Sequence, residues 1–170
     1  MGVDPGTART GYGVVAAEGG LLSLVACGLI VTGPGIPLEA RLLEIHDQVY
    51  QVIQDHRPHA LAVEQLFFGK NAKTASSVGQ ARGAVLVAAA RSRVPVLEYA
   101  PLEVKMALVG YGRAPKQQIQ GMVKALLRLA EAPKPDDVAD AVAVAVCCAR
   151  RLPESASRLL DADSRESGIP

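Results

Sequence analysis

The sequence predicts an α/β domain in which a five-stranded mixed sheet carries helices on both faces. Its first part has three strand patterns, two of them joined by the hairpin turn Glu18-Gly19-Gly20. Its second part alternates short apolar runs with segments of helical periodicity. Hydrophobic residues make up 49% of the 170 positions, which is enough for one packed core. A meander followed by alternating helices and strands is typical of a mixed sheet.

The strands follow from the pattern of apolar residues. Three strands are predicted over residues 1–3, 10–17 and 21–32, with the hairpin turn between the second and the third. The fourth is the short apolar run 60–63, which ends at Glu64 and therefore has the character of a buried strand. The fifth covers residues 94–99.

The helices follow from periodicity and from their end signals, and they are predicted over residues 38–55, 74–92, 102–109, 116–129 and 136–151. Pro115 stands where the first turn of the fourth helix begins, and Asp136 is expected to cap the last helix. From Pro153 onward the chain is rich in Ser, Asp, Glu and Arg. We therefore expect one domain over residues 1–152 and a disordered tail over 153–170.

Composition excludes several classes of protein. No apolar run approaches the roughly 18 residues of a membrane span, and no signal peptide is visible, so a cytoplasmic protein is expected. Three cysteines, two of them adjacent, do not form a disulfide framework and are predicted to be buried, reduced thiols. His56 and His59 have no cysteines near them in sequence to complete a zinc site, and they are expected on the surface of a helix end.

The distribution of charge is more informative than the net charge of +1. Between Phe67 and Lys116 there are eight basic residues and two acidic ones, namely Lys70, Lys73, Arg82, Arg91, Arg93, Lys105, Arg113 and Lys116 against Glu98 and Glu103. Such an excess is a plausible footprint for a polyanion such as DNA. A solvated surface is the alternative, and composition alone does not separate the two.

Acidic residues stand where a purely structural role is hard to assign. Asp4 ends the first strand, Glu64 ends the fourth, and Asp137 and Asp140 lie one turn apart on the last helix. If these elements are neighbours, four carboxylates converge and repel by roughly 3 kcal/mol per pair at about 6 Å. A cation would hold them together, and oxygen ligands favour Mg²⁺ or Mn²⁺. Two such ions could clamp a phosphodiester, whereas four unrelated acids remain the alternative.

Four segments together resemble the RuvC family of Holliday junction resolvases, or crossover junction endodeoxyribonucleases. They are "VDPGTARTGYGVV", "AVEQLFFGKNAKTASSVGQARG", "EYAPLEVKMALVGYG" and "DDVADAVAVA", in order from about residue 2 to residue 150. The resemblance implies a ribonuclease H-like fold and a homodimer. It also implies Mg²⁺-dependent, symmetric nicking of four-way DNA junctions in recombination and repair, with two ions per active site and Mn²⁺ as a possible substitute.

The resemblance also assigns roles to individual residues. The catalytic, metal-binding acids of the family fall on Asp4, Glu64, Asp137 and Asp140, although some relatives carry a histidine at the position of Asp137. DNA-binding residues of the family match Lys105 and Lys116, and the aromatic residue that stacks on bases at the crossover matches Phe67. Four-way junction DNA is the implied substrate, and the RuvAB branch-migration motor is the implied partner.

Two other functions compete with this interpretation. "DPGTARTG" also looks like the first phosphate-binding loop of actin-like ATPases and sugar kinases, but those enzymes need two such domains and a second phosphate loop. A non-catalytic, ribonuclease H-like DNA-binding protein is the other alternative. It would be expected to have lost one or more of the acids, and none is missing here.

The predicted helix "TASSVGQARGAVLVAAARS" has two apolar sides, as an element at a dimer interface would. One stripe, formed by Val78, Ala81, Val85 and Ala89, can cover the sheet. The adjoining side carries Gly79, Gly83 and Val87, where missing side chains let another backbone approach. Two glycines inside a helix cost up to roughly 1 kcal/mol each relative to Ala, so we expect a partner helix to compensate. Close packing within the same chain is the alternative.

Overall fold

Five strands form one mixed sheet in the order β3-β2-β1-β4-β5. The computed structural model describes residues 1–65 and 72–152, with the backbone alone at 72–75, so Phe67 and the expected tail 153–170 lie outside the described residues. The strands are β1 (Gly2–Asp4), β2 (Arg9–Glu18), β3 (Leu21–Val31), β4 (Leu61–Glu64) and β5 (Val96–Tyr99). Strand β1 pairs with β2 in antiparallel fashion and with β4 in parallel fashion. The predicted five-stranded mixed sheet is therefore confirmed.

Helices cover both faces of this sheet, as predicted. They are α1 (Leu38–His56), α2 (Ala72–Arg91), α3 (Pro101–Val109), α4 (Lys116–Leu126) and α5 (Asp136–Arg151). One core cluster joins α3, α4 and α5 to the sheet through residues such as Val123, Val142 and Val146. A second cluster joins α1 and α2 to the other face through Val3 and Val85. Among the described residues, no helix is long and apolar enough to cross a membrane.

The apolar stripes of α1 and α2 pack against the sheet as their periodicity predicts. On α1 the buried residues are Ile45, Val49 and Ile53, which lie one turn apart. On α2 the buried stripe contains Ala81, Val85 and Ala89, while Val78 is half-buried. The second layer is therefore held by small and branched apolar side chains.

Helix α5 comes very close to the backbone of β1 and β2 at two glycines. A Cβ atom added to Gly11 would lie 2.0 Å from the carbonyl oxygen of Asp137, and one added to Gly2 would lie 2.2 Å from that of Ala141. No other residue type fits these two positions unless the helix moves away. Every residue of α5 from Ala141 to Cys148 is buried. The first turn of α5 is therefore fixed directly above the carboxyl end of β1.

Four sequence predictions need correction. Helix α4 ends at Leu126 and not at 129, because Arg128 adopts the left-handed conformation with φ 53°. Asp136 is the first residue of α5 and not its cap, since Pro135 occupies that position and the Asp136 carboxylate accepts a hydrogen bond from Gln120. Cys27 is exposed, because alternate side chains of β3 point to solvent, whereas Cys147 and Cys148 are buried. In addition, the fifth strand begins at Val96 and not at 94.

The close packing of α5 on the sheet leads to a first prediction. The change Gly11→Ala should push the first turn of α5 away from β2 and destabilise the protein by about 1–3 kcal/mol, as overpacking does. Urea unfolding followed by circular dichroism measures this difference.

The matched control is Gly121→Ala, because Gly121 lies inside α4 with nothing within 4 Å of its added Cβ. This control should gain up to about 1 kcal/mol from helix propensity. A Gly11→Ala protein as stable as the wild type would contradict the proposed close contact between helix and sheet.

Candidate active site

Asp4 and Glu64 are placed side by side by the register of the two central strands. Strands β1 and β4 are parallel, with Gly2 opposite Ala62 and Val3 opposite Val63. The next residues along each strand are Asp4 and Glu64, so both carboxylates leave the same edge of the sheet. Val3 and Val63 are fully buried, and this anchors the strand ends that carry the two acids.

The first turn of α5 brings two further acids to this edge. Gly11 pairs with Asp4 across the sheet and also touches the Asp137 backbone, which places Asp137 above the end of β1. Asp140 follows one turn later and lines a cavity of about 220 Å³ together with Glu64, Lys105 and Lys116. The structure therefore brings the four predicted acids together, although they come from three separate elements.

The pKa of Asp4 reflects its burial and the three other acids near it. Burial raises the pKa of Asp4 to about 7, and the negative charges of Asp140, Asp137 and Glu64 contribute to the rise. Burial and the charge of Asp140 also raise the pKa of Glu64, while Lys105 opposes that rise. Both shifts mean that burial, together with the neighbouring negative charges, makes the ionised carboxylates costly. The cluster therefore needs positive charge to remain ionised near neutral pH.

Two basic side chains supply part of that charge. The Arg9 Nε atom lies 2.9 Å from Oδ2 of Asp137, and the Lys116 Nζ atom lies 2.7 Å from Oδ2 of Asp140. Lys116 also approaches the carboxylate of Asp136 at 3.4 Å. Burial alone would lower the pKa of Lys116, but its pairing with Asp140 and Asp136 outweighs burial and raises that pKa.

These ion pairs bear on how well the site fits a metal ion. Across residues 1–65 and 72–152, no group of three or more His, Cys, Asp or Glu side chains is arranged to hold a metal ion in the observed rotamers. Two of the four carboxylates face Arg9 and Lys116 instead of each other, which provides a physical reason. The donor set itself, four carboxylates at one sheet edge, suits a hard divalent cation. To bind a metal ion, Asp137 and Asp140 would therefore have to release Arg9 and Lys116.

A larger cavity, of about 530 Å³, lies at the opposite end of β1. It is lined by the second half of β2, by the end of α1 and the turn after it, and by the last turns of α5. None of the four acids lines it, and neither does Lys105 or Lys116. The smaller cavity is the candidate active site because Glu64, Asp140 and two lysines line it.

The predicted basic surface is partly neutralised within the protein. Arg82 forms an ion pair with Glu98, and the guanidinium of Arg91 lies 4.7 Å above the ring of Tyr50. Lys105, by contrast, is half-buried beside Glu64 in the site cavity. The described positive charge that faces the acids therefore comes from Lys105, Lys116 and Arg9.

Sequence reasoning missed Arg9. It is separated from Asp137 by 128 positions, and no spacing rule links the two. A signal was nonetheless present, because residues 9 and 11 share one face of a strand and Gly11 marks the place where another backbone comes close.

A mixed sheet in this order, with carboxylates at the adjoining ends of its central strands and a helix bringing two more, defines the chain as a ribonuclease H-like nuclease. A family profile described as "Crossover junction endodeoxyribonuclease RuvC" matches residues 1–148. The relative of that name from Pelotomaculum thermopropionicum is 56% identical over 147 residues, which cover 86% of this chain and 90% of the relative. The chain belongs to the RuvC family of crossover junction endodeoxyribonucleases.

Solved structures agree with this assignment. The RuvC structure from Thermus thermophilus superposes with a TM-score of 0.83 at 43% identity, covering 88% of this chain and 92% of that one. A second structure, of the same bacterium's RuvC in complex with a Holliday junction substrate, gives a TM-score of 0.83 at 44% identity and covers 86% and 89%. Membership of this family makes the chain a hydrolase that acts on DNA.

The raised pKa of Asp4 generates a prediction about stability and pH. The folded protein holds the Asp4 proton up to about pH 7, whereas the unfolded chain releases it near 3.8. The folded state therefore binds more protons between these values, and its stability falls as pH rises through that window. The change Asp4→Asn removes this penalty. Without divalent ions, its stabilising effect should be larger at pH 8.5 than at pH 5, by about 2–3 kcal/mol.

Urea unfolding in EDTA at the two pH values measures this difference. Asp55→Asn is the control, because Asp55 is an exposed acid on α1 that lies outside the acid cluster, and it should not reproduce the effect of Asp4→Asn. An Asp4→Asn effect that does not change with pH would show that burial and the neighbouring acids do not raise the pKa of Asp4 in solution.

Proposed function

We propose that this chain is a Holliday junction-resolving endonuclease that makes paired, symmetric nicks in four-way DNA. The observation that carries the proposal is the convergence of Asp4, Glu64, Asp137 and Asp140 at one edge of the sheet, in a chain of this family. The RuvC of Thermus thermophilus, which shares the fold, has been solved with a Holliday junction substrate. We take the same kind of DNA as the substrate here, in recombination and repair.

The four acids are proposed as ligands of Mg²⁺, for which Mn²⁺ would substitute. All donors are carboxylate oxygens, which hard divalent cations prefer. Each carboxylate raises the cost of ionising Asp4, and a divalent cation would offset that cost. Two bound ions would stabilise the attacking and leaving oxygens of the phosphodiester as Lewis acids. Asp4 and Glu64 hold fixed positions on the sheet, and Asp140 with Asp137 completes the set from α5.

Basic and aromatic residues are proposed to bind the DNA. Lys105 and Lys116 line the same cavity as Glu64 and Asp140, so phosphates near the scissile bond would lie within their reach. Contacts with phosphates position DNA without reading its sequence, as recognition of a junction by shape requires. Phe67, which lies outside the described residues, is proposed to stack on a base at the crossover.

A homodimer is proposed because a four-way junction has two-fold symmetry, and paired cuts need two sites related by the same symmetry. Helix α2 offers a suitable surface. An added Cβ at Gly83 would meet nothing within 4 Å among the described residues, and Val87 is 59% exposed. Close packing within the chain therefore does not account for Gly83. We further propose the RuvAB branch-migration motor as a partner and the cytoplasm as the location, since the substrate is chromosomal DNA.

The proposed metal ligands generate a prediction about cleavage. Each of the changes Asp4→Asn, Glu64→Gln and Asp140→Asn keeps the side-chain shape while removing a charged ligand. Nicking of a synthetic four-way junction in Mg²⁺ should fall by orders of magnitude. Junction binding should persist, because it depends on phosphate contacts from basic residues. Gel assays of cleavage and of binding measure the two effects separately.

Asp136→Asn is the matched control, because Asp136 lies in the same turn of α5 but pairs with Gln120 and Lys116. It should cut within about threefold of the wild-type rate, since an exposed ion pair contributes little. Wild-type cleavage by the Asp4→Asn protein would refute the assignment of the acids.

The proposed dimer surface generates a further prediction. The change Gly83→Leu places a large side chain where α2 is open, so it should convert the dimer to a folded monomer and abolish paired nicks. Sedimentation, circular dichroism and junction cleavage measure these three properties. Gly121→Leu is the control, because Gly121 is equally open but lies on α4. If Gly83→Leu stays dimeric and resolves junctions normally, the interface lies elsewhere.

A further inference from the structure

Arg9 is the first residue of β2, and its guanidinium lies at the edge of the acid cluster. Its Nε atom is 2.9 Å from Oδ2 of Asp137, with 47% of the Arg9 side chain and 32% of the Asp137 side chain exposed. Residues 9 and 11 share one face of the strand, and Gly11 touches the backbone of Asp137 on that face. The pairing of Arg9 with Asp137 is therefore a consequence of the way α5 sits on β2.

Lysine side chains at this edge already have a proposed task. Lys116 pairs with Asp140 and lines the site cavity, where it would meet DNA phosphates. Arg9 does not line that cavity, and its guanidinium contacts Asp137, one of the proposed metal ligands. Arg9 therefore supplies positive charge to the carboxylate cluster from its β2 side.

A guanidinium in this place competes with a divalent ion for the same carboxylate. Half-exposed ion pairs are weak, so a divalent cation surrounded by several carboxylates can displace the arginine from Asp137. Even after displacement, the charge of Arg9 stays near the ion and repels it. Both effects weaken the binding of metal ions to the enzyme while no DNA is present.

We propose that Arg9 is a positioning residue that holds Asp137 in the metal-free enzyme and sets the affinity of the site for divalent ions by competing with them. The proposal rests on the proposed function, because it takes Asp137 as a metal ligand. It differs from a purely structural role in the sign of its effect. A residue that merely kept Asp137 in place would help metal binding, whereas a competing cation opposes it.

The experiment measures Mn²⁺ binding to the full-length, DNA-free protein by electron paramagnetic resonance at fixed ionic strength and pH 8. Arg9→Gln should bind Mn²⁺ about threefold to tenfold more tightly than the wild type, as expected for removing one charge a few ångströms from a divalent ion. Arg9→Lys keeps the charge and should stay within about twofold of the wild type. Circular dichroism verifies that each variant is folded.

Arg151→Gln is the matched control. Arg151 forms an ion pair of the same length, 2.9 Å, with Glu103, and the two side chains are 41% and 42% exposed. It lies at the far end of α5, about 20 Å from Asp137 at the rise of an α-helix. The affinity of this variant for Mn²⁺ should equal that of the wild type.

Three outcomes would overturn the proposal. Unchanged or weaker Mn²⁺ binding by Arg9→Gln would make Arg9 a structural residue. Tighter binding by Arg9→Lys, equal to that of Arg9→Gln, would exclude charge as the cause. If the Asp4→Asn protein binds Mn²⁺ as tightly as the wild type, the metal site of the proposed function is refuted. The proposed competition by Arg9 is then refuted with it.

Discussion

The close contact between α5 and the backbone of β1 and β2 is the constraint on which the site depends. At Gly2 and Gly11 the sheet has no side chain, and carbonyl oxygens of α5 occupy the space that a Cβ atom would take. Because the contact is made by backbone atoms, a side chain at either glycine would push the helix away from the sheet. Asp137 is therefore held above the residue that pairs with Asp4. Geometry of this kind suits a site whose ligands must be placed to within a fraction of an ångström.

The same contact creates an electrostatic problem that local cations partly relieve. Packing α5 onto the sheet brings Asp137 and Asp140 near Asp4, which burial has already made costly to ionise. Arg9 and Lys116 lie where they offset half of the formal charge of the four carboxylates. Functional sites commonly retain destabilising charges of this kind, since the groups that bind a metal ion are those that repel one another without it.

Much of the fold could be predicted from the sequence because periodicity and turn residues specify it locally. The hairpin of β2 and β3, the buried stripes of α1 and α2, and the placement of Glu64 at the end of β4 all follow from patterns within about twenty residues. Asp4 and Glu64 were recognisable because strands disfavour acids at such places. These predictions needed no knowledge of distant contacts.

What could not be predicted depends on pairs of distant residues or on competition at helix ends. The pairing of Arg9 with Asp137 and the need for glycine at position 11 arise only when α5 meets β2. The helical periodicity of α4 continues to residue 129. The helix nevertheless ends earlier, because Arg128 adopts the left-handed conformation. Aspartate is a favoured N-cap residue, yet Pro135 occupies the N-cap position of α5. The Asp136 carboxylate instead accepts a hydrogen bond from Gln120.

The sheet also separates the chemistry from the proposed assembly surface. The acids and α5 depend on the core cluster of α3, α4 and α5, whereas α1 and α2 depend on the cluster of the opposite face. The open side of α2 at Gly83 and Val87 belongs to this second layer. A close-packed interior has low compressibility, so the sheet acts as a rigid layer between the two clusters. A partner seated on α2 would therefore orient a second active site through the rigid sheet, without altering the spacing of the carboxylates within either one.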